Sequence, residues 1–351
     1  MHPVTLLGAE QLRALVPLDL AAIDQVEAAF LALATEAVVM PPVLSLALNE
    51  HHGEVDVKTA YLPRFDGFAI KVSPGFFNNP SLGLPSLNGL MLVLSARTGL
   101  TEAVLLDNGY LTAVRTAAAG AVAARWLARE DARHAAIIGA GEQARLQLDA
   151  LMLVRKIERV GIWGRDVPQA EAFAADVERR HGIRARVAAS AREALAEADV
   201  AVTATPSREP VVQAADLHAG LHLTAMGSDA EYKNELAPGV FDTARYFCDR
   251  LQQTRVLGEL HHAIEARKVA PDAVFPELGE VIAVRRAGRT HADDITICDL
   301  TGTGAQDTAI AVLALQRARA AGAGTVFTTY NRPRGAHVCS KRNKRDPAPG
   351  L

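Results

Sequence analysis

A glycine turn near the middle of the chain constrains the fold more than any other sequence feature. Gly139, Gly141 and Ala144 directly follow an apolar run at residues 135–138, and the residues after them favour a helix. The glycines permit a tight turn that lets the backbone approach a pyrophosphate, and the helix amino terminus offers unpaired N–H groups. A purely structural turn is the alternative, but the surrounding strand and helix patterns favour a dinucleotide-binding turn. Its cofactor contacts are predicted to be Gly139, Ala140, Gly141 and Glu142.

The segments after this turn alternate between strand and helix patterns. Short apolar runs recur up to about residue 249, and segments that favour helices separate them. Pro168 suits the first turn of one predicted helix, and Ser190 with Glu193 forms a capping-box pattern for another. This alternation predicts a mostly parallel α/β sheet of the Rossmann type.

The first third of the chain has a different pattern. Apolar residues recur on one face from Leu20 to Leu33, which predicts a helix. Between residues 39 and 106, short apolar runs broken by Gly and Pro predict antiparallel strands, with a hairpin turn at residues 97–99. An Ala-rich helix from Leu111 then leads into the second region. A chain of 351 residues is long enough for two such domains.

Charge and composition argue against several classes of partner. The formal net charge is −3, and because the last 21 residues carry six basic residues against one acid, the remaining body is near −8. An acidic body argues against a nucleic-acid partner. The basic end is predicted to be a disordered tail, with an interaction arm as the alternative. Three cysteines without metal or redox spacing, and the lack of a signal or membrane segment, favour a soluble cytoplasmic protein with no membrane partner.

A metal site is not expected from the sequence. His261 and His262 are adjacent, but no carboxylate or cysteine is expected at ligand spacing with them. They are therefore predicted to lie on a solvated helix segment.

The end of the second predicted Rossmann strand bears on which dinucleotide is bound. An acid at this position binds the ribose hydroxyls of NAD, whereas the 2′-phosphate of NADP requires a cation and no acid. Gly164 occupies the position and Arg165 follows it, which favours NADP(H) over NAD(H). The alternatives are that Asp166 points inward or that Arg165 is simply solvated.

Charged residues at two further places are candidates for substrate chemistry. Lys71 lies in an otherwise apolar strand pattern, so it either points to solvent or meets an anion in a cleft, and Arg115 poses the same question. Asp229 and Lys233 follow another apolar run, where the carboxyl-edge loops of an open sheet bind ligands. A plain surface turn is the alternative for this last segment.

These residues occur in motifs that resemble those of the ornithine cyclodeaminase/mu-crystallin family. The resemblance extends from about residue 5 to residue 328, and its motifs are Lys71, Val114-Arg115-Thr116, Gly139-Ala-Gly-Glu-Gln143, Gly227-Ser-Asp229 with Lys233-Asn-Glu-Leu, Gly258-Glu259 and Asp299-Leu-Thr-Gly302. Segments such as VDVKTAYLP, MGSDAEYKNEL and DLTGTGAQDTAIA resemble more closely the branch associated with ectoine utilisation.

The resemblance implies an architecture that periodicity alone does not show. A Rossmann NAD(P)-binding domain, residues 116–304, is inserted into an α+β domain that binds substrate and forms a homodimer. That second domain comprises residues 1–115 and 305–329, and residues 330–351 form the tail.

The resemblance also implies roles for individual residues. Lys71 and Arg115 bind the substrate carboxylate, and Asp229 acts with Lys71 in catalysis, as an acid/base or water-activating group. Val43 stands where relatives often carry an arginine, so one expected carboxylate contact is missing and ornithine is in doubt as the substrate. The cofactor contacts expected beyond the glycine turn are Ser86, Thr116, Gln143, Gly164, Arg165, Thr205, Met226, Ser228, Lys233 and Thr301.

Three functions remain open at this point. A reductase or dehydrogenase would transfer hydride at the α-carbon of a small amino or imino acid. A cyclodeaminase would return the hydride to the substrate after a distal amine displaces ammonia. A mu-crystallin-like protein would bind NADPH and a ligand without turnover. We favour the first, because it needs only the hydride site, and a pure binder has no need of Asp229.

Overall fold

The computed structural model describes residues 2–330, and the basic tail lies outside the described residues. The strands are His2–Gly8 (β1), Leu44–Leu48 (β2), Gly53–Ala60 (β3), Gly67–Phe76 (β4), Leu90–Ser95 (β5), Thr101–Leu106 (β6), His134–Ile138 (β7), Arg159–Trp163 (β8), Arg184–Val187 (β9), Val200–Thr203 (β10), His222–Ala225 (β11), Arg245–Cys248 (β12), Thr296–Asp299 (β13) and Thr325–Tyr330 (β14). The α-helices are Ala9–Leu15 (α1), Leu20–Thr35 (α2), Tyr110–Leu127 (α3), Glu142–Val154 (α4), Val167–His181 (α5), Ala191–Leu195 (α6), Leu251–Thr254 (α7), Glu259–Glu265 (α8), Leu278–Ile282 (α9) and Gly304–Ala321 (α10).

The first sheet is built from both ends of the chain. Its strand order is β14-β1-β6-β5-β4-β3-β2, and every pair is antiparallel except β1 with β6. Helix α10 packs on β3 and β4 before β14 pairs with β1. The chain therefore leaves this domain, forms a second one, and returns.

The second sheet is parallel throughout, with the order β12-β13-β11-β10-β7-β8-β9. This confirms the predicted fold class, an α/β Rossmann domain inserted into an α+β domain. Because all strands point the same way, the loops that follow them lie at one edge of the sheet, where open α/β sheets bind ligands.

Local sequence signals explain several of these elements. Asp19 caps α2 by accepting the N–H of Ala22 at 2.8 Å, and Ser190 caps α6 by accepting the N–H of Glu193 at 3.1 Å. Gly99 supplies the positive φ of +69° in the β5–β6 hairpin turn. The predicted helices at residues 20–33 and from Leu111, and the hairpin at residues 97–99, are therefore confirmed.

Helix α3 is shared between the two regions of the chain. It packs on α2 on one side and on α4 on the other, and small residues make nearly all of its length buried. The predicted boundary at residue 115 falls inside this helix, so the domain boundaries stay a prediction.

Two further expectations concern the described part of the chain. Cys248 and Cys298 are buried free thiols on β12 and β13, as expected, and Cys339 lies outside the described residues. Within residues 2–330, no helix is both long enough and apolar enough to cross a membrane.

Candidate active site

The glycine turn joins β7 to α4 and leaves open space at the amino terminus of α4. Gly139 has a φ of +129°, and a Cβ there would lie 2.6 Å from the carbonyl oxygen of Ala204. Both the backbone conformation and this close contact therefore exclude a larger residue. A Cβ on Gly141, the N-cap of α4, would meet nothing within 4 Å. Ala140 is buried between them, and Glu142 is exposed in the first turn. The unpaired N–H groups of the 13-residue α4 therefore face open space, which fits a dinucleotide pyrophosphate.

Two predicted cofactor residues lie where α3 meets α4. The Gln143 Nε2 donates to the carbonyl oxygen of Ala113 at 3.1 Å, and the Gln147 Nε2 donates to the carbonyl oxygen of Thr116 at 3.0 Å. These bonds fix α3, which also carries Arg115, relative to the dinucleotide turn.

Gly164 and Arg165 directly follow β8, beside the same turn. A Cβ on Gly164 would lie 3.2 Å from the Cβ of Ala140, and Arg165 is exposed. Asp166 does not point inward, because its Oδ1 accepts the N–H of Gln169 at 3.0 Å as the N-cap of α5. The acid next to Arg165 is thus engaged with the helix.

Thr205, Met226 and Ser228 come together at the ends of β10 and β11. The Glu235 carboxylate fixes this region by accepting the N–H and hydroxyl of Thr205 at 2.6 and 2.8 Å and the N–H of Gly227 at 2.7 Å. A Cβ on Gly227 would overlap with the Glu235 carboxylate and the carbonyl oxygen of Thr205. Burial raises the pKa of Glu235, and its hydrogen bonds oppose that rise.

Asp229 continues this loop and pairs with Lys233. The Lys233 Nζ donates to the Asp229 Oδ1 at 2.6 Å, and the Ser228 hydroxyl donates to the carbonyl oxygen of Lys233 at 2.5 Å. Desolvation by the surrounding protein raises the pKa of Asp229, but the ammonium groups of Lys233 and then Lys58 outweigh it and hold the pKa below its usual value. Asp229, whose side chain is 52% exposed, is therefore a carboxylate at neutral pH and able to accept a proton.

Two buried carboxylates lie beneath this loop. Glu259 accepts the N–H groups of Glu235 and Leu236 at 3.0 and 2.9 Å, and Asp299 accepts the N–H of Glu259 at 2.8 Å and the hydroxyl of Tyr246 at 2.6 Å. Burial raises the pKa of Asp299 to about 7 and that of Glu259 well above its usual value. These bonds give Glu259 and Asp299, which belong to two of the family motifs, a structural role.

A fourth buried carboxylate at this edge, Asp249, holds the loop after β13. It accepts the N–H groups of Thr301 and Gly302 at 2.8 Å each, and the Gln253 Nε2 donates to the Thr301 hydroxyl at 2.8 Å. Burial raises the pKa of Asp249. In the described part of the chain, no salt bridge neutralises the carboxylates of this edge, which are Glu235, Asp249, Glu259 and Asp299.

A second polar centre lies in the first domain. The Lys71 Nζ on β4 is 3.1 Å from the Asp307 Oδ2, and the Arg115 Nε on α3 donates to the Asp307 Oδ1 at 2.9 Å. Arg115 also donates to the Gln306 Oε1 at 3.2 Å. All three charged residues are buried, so both cations meet an anion in the interior, which the sequence had left open.

The sequence analysis missed Asp307. Its one signal was an acid in the first turn of a helix made otherwise of small and apolar residues, within DLTGTGAQDTAIA. Burial lowers the pKa of Lys71 to about 7, although Asp307 opposes this effect. Burial raises the pKa of Asp307, but Lys71 and Arg115 outweigh it and hold the pKa below its usual value.

A cavity of about 660 Å³ lies between the Asp229 loop and the first domain. Asp229 and Lys233 line it from the second domain, and Lys58 and Val43 line it from the first. The Lys58 side chain, which the sequence analysis also missed, donates from Nζ to the carbonyl oxygen of Gly302 at 3.2 Å. Lys71 and Arg115 are not among the lining residues, so Lys58 is the cation of this group that faces the cavity.

Ser86 is a predicted cofactor residue in the first domain. It lies in the loop before β5, where its carbonyl oxygen accepts the N–H of Phe76 at 2.7 Å. Nothing within residues 2–330 links its side chain by a hydrogen bond to the other predicted cofactor residues.

The expectation that no carboxylate lies at ligand spacing with the two histidines is wrong. Glu265 follows on α8, and ligand atoms of His261, His262 and Glu265 all lie within 4.8 Å of one another, because residues three and four apart share a helix face. The His262 Nε2 also lies 2.7 Å from the carbonyl oxygen of Lys233, which links α8 to the Asp229 loop.

Comparison with known proteins gives consistent matches over almost the whole described chain. The sequence profile of the ornithine cyclodeaminase/mu-crystallin family matches residues 5–322. A relative from Rhizobium meliloti (strain 1021) is 59% identical over 327 residues, which cover 93% of this chain and 99% of the relative.

Two solved structures are similar over their full length. The Thermococcus litoralis Delta(1)-pyrroline-2-carboxylate reductase in complex with NADH and L-proline has a TM-score of 0.86 and 30% identity, covering 92% of this chain and 99% of its own. An archaeal alanine dehydrogenase dimer with bound NAD has a TM-score of 0.87 and 34% identity, covering 93% of this chain and 100% of its own.

Replacing Asp307 by Asn should destabilise the fold, because Lys71 and Arg115 would then be buried without an anion. We expect the free energy of unfolding to fall by about 3–5 kcal/mol, the usual cost of removing one partner of a buried ion pair. Chemical denaturation followed by circular dichroism measures this. The control Asp242→Asn removes the acid of an exposed pair with Lys268 and should cost at most about 1 kcal/mol. Equal stability of the two variants would contradict the bridging role of Asp307.

Proposed function

The chain belongs to the ornithine cyclodeaminase/mu-crystallin family, and from this premise we propose that it transfers hydride at the α-carbon of a small amino or imino acid. The cofactor is a nicotinamide dinucleotide, which supplies or accepts the hydride when bound. The observation that carries the proposal is that the ionised Asp229 and the cation Lys58, which lies opposite the buried Lys71 on the paired strand, line one cavity.

The cation group suits the carboxylate that every amino or imino acid carries. The two cations Lys71 and Arg115 are paired with the single carboxylate of Asp307. Together the three residues carry one net positive charge, which would match one α-carboxylate. Charge-assisted hydrogen bonds from both cations would fix the α-carbon in a near-attack position.

Asp229 suits the proton transfer that accompanies the hydride. Reduction of an imine leaves an amine nitrogen that needs a proton, and oxidation releases one. In oxidation the ionised Asp229 accepts the released proton, and in reduction the half-exposed carboxylate relays a proton from solvent to the nitrogen. Lys233 favours the return of Asp229 to its ionised form after each transfer. Such acid/base assistance contributes about 10²–10⁴-fold to a rate.

A cyclodeaminase is the second candidate, and a specific observation favours it. Glu54 and Asp56 line the same cavity and offer partners for the distal ammonium of a diamino acid. We favour the reductase or dehydrogenase, since it needs only the hydride site. The mu-crystallin-like binder remains the non-enzyme alternative, and the narrower assignment to ectoine utilisation stays a prediction from motif resemblance.

Asp229→Asn should remove the proton carrier while keeping the size of the side chain. The purified protein should consume reduced cofactor in proportion to added imine, and the variant should lower kcat by at least about 100-fold with unchanged cofactor affinity. Glu231→Gln, in the same loop and cavity wall, is the matched control and should keep most of the activity.

The same assay separates the three functions. Release of ammonia from ornithine without net change in the cofactor would identify a cyclodeaminase, and cofactor binding without any turnover would identify a binder. A near-normal rate for Asp229→Asn would reassign its loop to cofactor positioning.

For the cofactor, we expect NADPH to bind more tightly than NADH. Arg165 is exposed at the end of β8, and the neighbouring Asp166 is engaged in capping α5, so a 2′-phosphate meets a cation. Arg165→Ala should reduce the preference by about 10-fold or more, as measured by fluorescence titration. Arg184→Ala is the control, because Arg184 begins β9 at the opposite edge of the sheet, where it pairs with the first residue of β8. Equal affinities in the intact protein would refute the preference.

We also expect a homodimer built on the β2 edge of the first sheet. Exposed apolar side chains concentrate near this edge and in the loop between β4 and β5, and such a patch favours an interface. They are Val39, Leu44, Leu46, Phe77, Leu82, Leu84 and Leu87.

Sedimentation at micromolar concentration should show a dimer. Leu46→Lys should weaken it, because a charge would be buried in the interface, whereas Val274→Lys on an exposed loop should not. A monomeric wild-type protein would rule the dimer out.

A further inference from the structure

Lys58 occupies a position where a lysine is energetically unfavourable. It lies directly opposite Lys71 in the antiparallel pairing of β3 with β4, so both side chains project from the same face of the sheet. Like charges placed opposite each other in this way are destabilising. The residue is 9% exposed, so solvent screens the repulsion poorly.

Lys58 also lacks a carboxylate partner in the part of the chain that the structure describes. Its recorded hydrogen bond goes to the carbonyl oxygen of Gly302 at 3.2 Å, and no salt bridge involves it. Buried lysines are usually paired with an anion. Its charge nevertheless reaches the site, because it lowers the pKa values of Lys71, Asp229 and Asp307.

The charges around Lys71 therefore do not balance. With Lys71 protonated in its ion pair, Lys58, Lys71 and Arg115 face the single acid Asp307, which leaves two positive charges. One α-carboxylate neutralises one of them. The remaining charge is that of Lys58, the member of the group that lines the cavity.

The acids of the same cavity lie on the same strand, towards the start of β3. Asp56 and Glu54 precede Lys58 on one strand face at two-residue steps, which correspond to about 7 and 14 Å along the strand. Neither forms a salt bridge with Lys58. Burial, followed by the negative charges of Asp56 and Asp229, raises the pKa of Glu54. A distal ammonium and a distal carboxylate would thus be recognised at different ends of the cavity.

We infer that Lys58 binds the second carboxylate of a dicarboxylic imino acid, which makes it the specificity-determining residue of the hydride-transfer site. This inference rests on the proposed function, whose substrate class it narrows. A cation that is unpaired in the protein alone becomes paired when such a substrate binds, which offsets the cost of keeping it buried.

Two imines of equal length test this inference. Ammonium with oxaloacetate or with 2-oxobutyrate gives four-carbon imines that differ in a terminal carboxylate or methyl group. We expect the wild-type kcat/KM to be at least about 10-fold higher for the dicarboxylic imine. Lys58→Met should remove this preference, mainly by raising KM by about 10–100-fold for that imine, and should leave the other imine nearly unchanged.

Two further variants make the comparison specific. Lys58→Arg keeps the charge and should keep most of the preference, which a merely structural role would not require. Lys156→Met removes an exposed lysine elsewhere and should leave both reactions as they are. If Lys58→Met raised KM equally for both imines, Lys58 would bind the α-carboxylate instead, and the inference would be overturned. It would also be overturned if neither reaction changed.

Failure of the proposed function gives a different result. The wild-type protein would then reduce neither imine with either cofactor. Calorimetry on the protein saturated with oxidised cofactor still tests Lys58, because succinate should bind more tightly than butyrate. Lys58→Met should abolish that difference, and equal wild-type affinities for the two acids would overturn the inference. This wild-type comparison also applies if Lys58→Met does not fold.

Discussion

The buried ion pairs of Asp307 hold the arrangement around the cavity together. Lys71 from β4 and Arg115 from α3 both reach this carboxylate on α10, so three elements from distant parts of the chain meet at one point. Leaving one buried charge without its partners costs several kcal/mol, so the three elements must come together in one arrangement. Close packing reinforces it, since a Cβ on Gly304 would overlap with the backbone of Thr59 on β3.

At the edge of the Rossmann sheet, buried carboxylates without cation partners in the described chain hold the loops in place. Loops that approach a cofactor leave many backbone N–H groups without partners in regular structure. Glu235, Glu259 and Asp249 accept these donors from inside, so the loops keep their shape without filling the cavity. Burial raises the pKa values of these acids, and their hydrogen bonds to the backbone oppose the rise.

The cavity therefore has two chemically distinct sides. On the first-domain side Lys58 lines the cavity, opposite Lys71 of the Asp307 cluster on the paired strand. On the side of the Rossmann edge, an ionised Asp229 is held by Lys233. An amino or imino acid has matching polarity, since its carboxylate and its nitrogen are separated by one carbon.

The sequence by itself determined the parts of this protein that depend on local chemistry. The turn at Gly139 and Gly141, the Pro168 helix start and the strand–helix alternation predict the Rossmann domain, because each reflects backbone geometry within a few residues. Motif resemblance added the inserted-domain architecture. Only the tertiary structure decided the partners of the charges: whether Lys71 is buried, which acid joins it to Arg115, and that Lys58 lies opposite it. Asp307 follows Lys71 by more than two hundred residues, and no local pattern reports an ion pair that forms when sheets and helices pack.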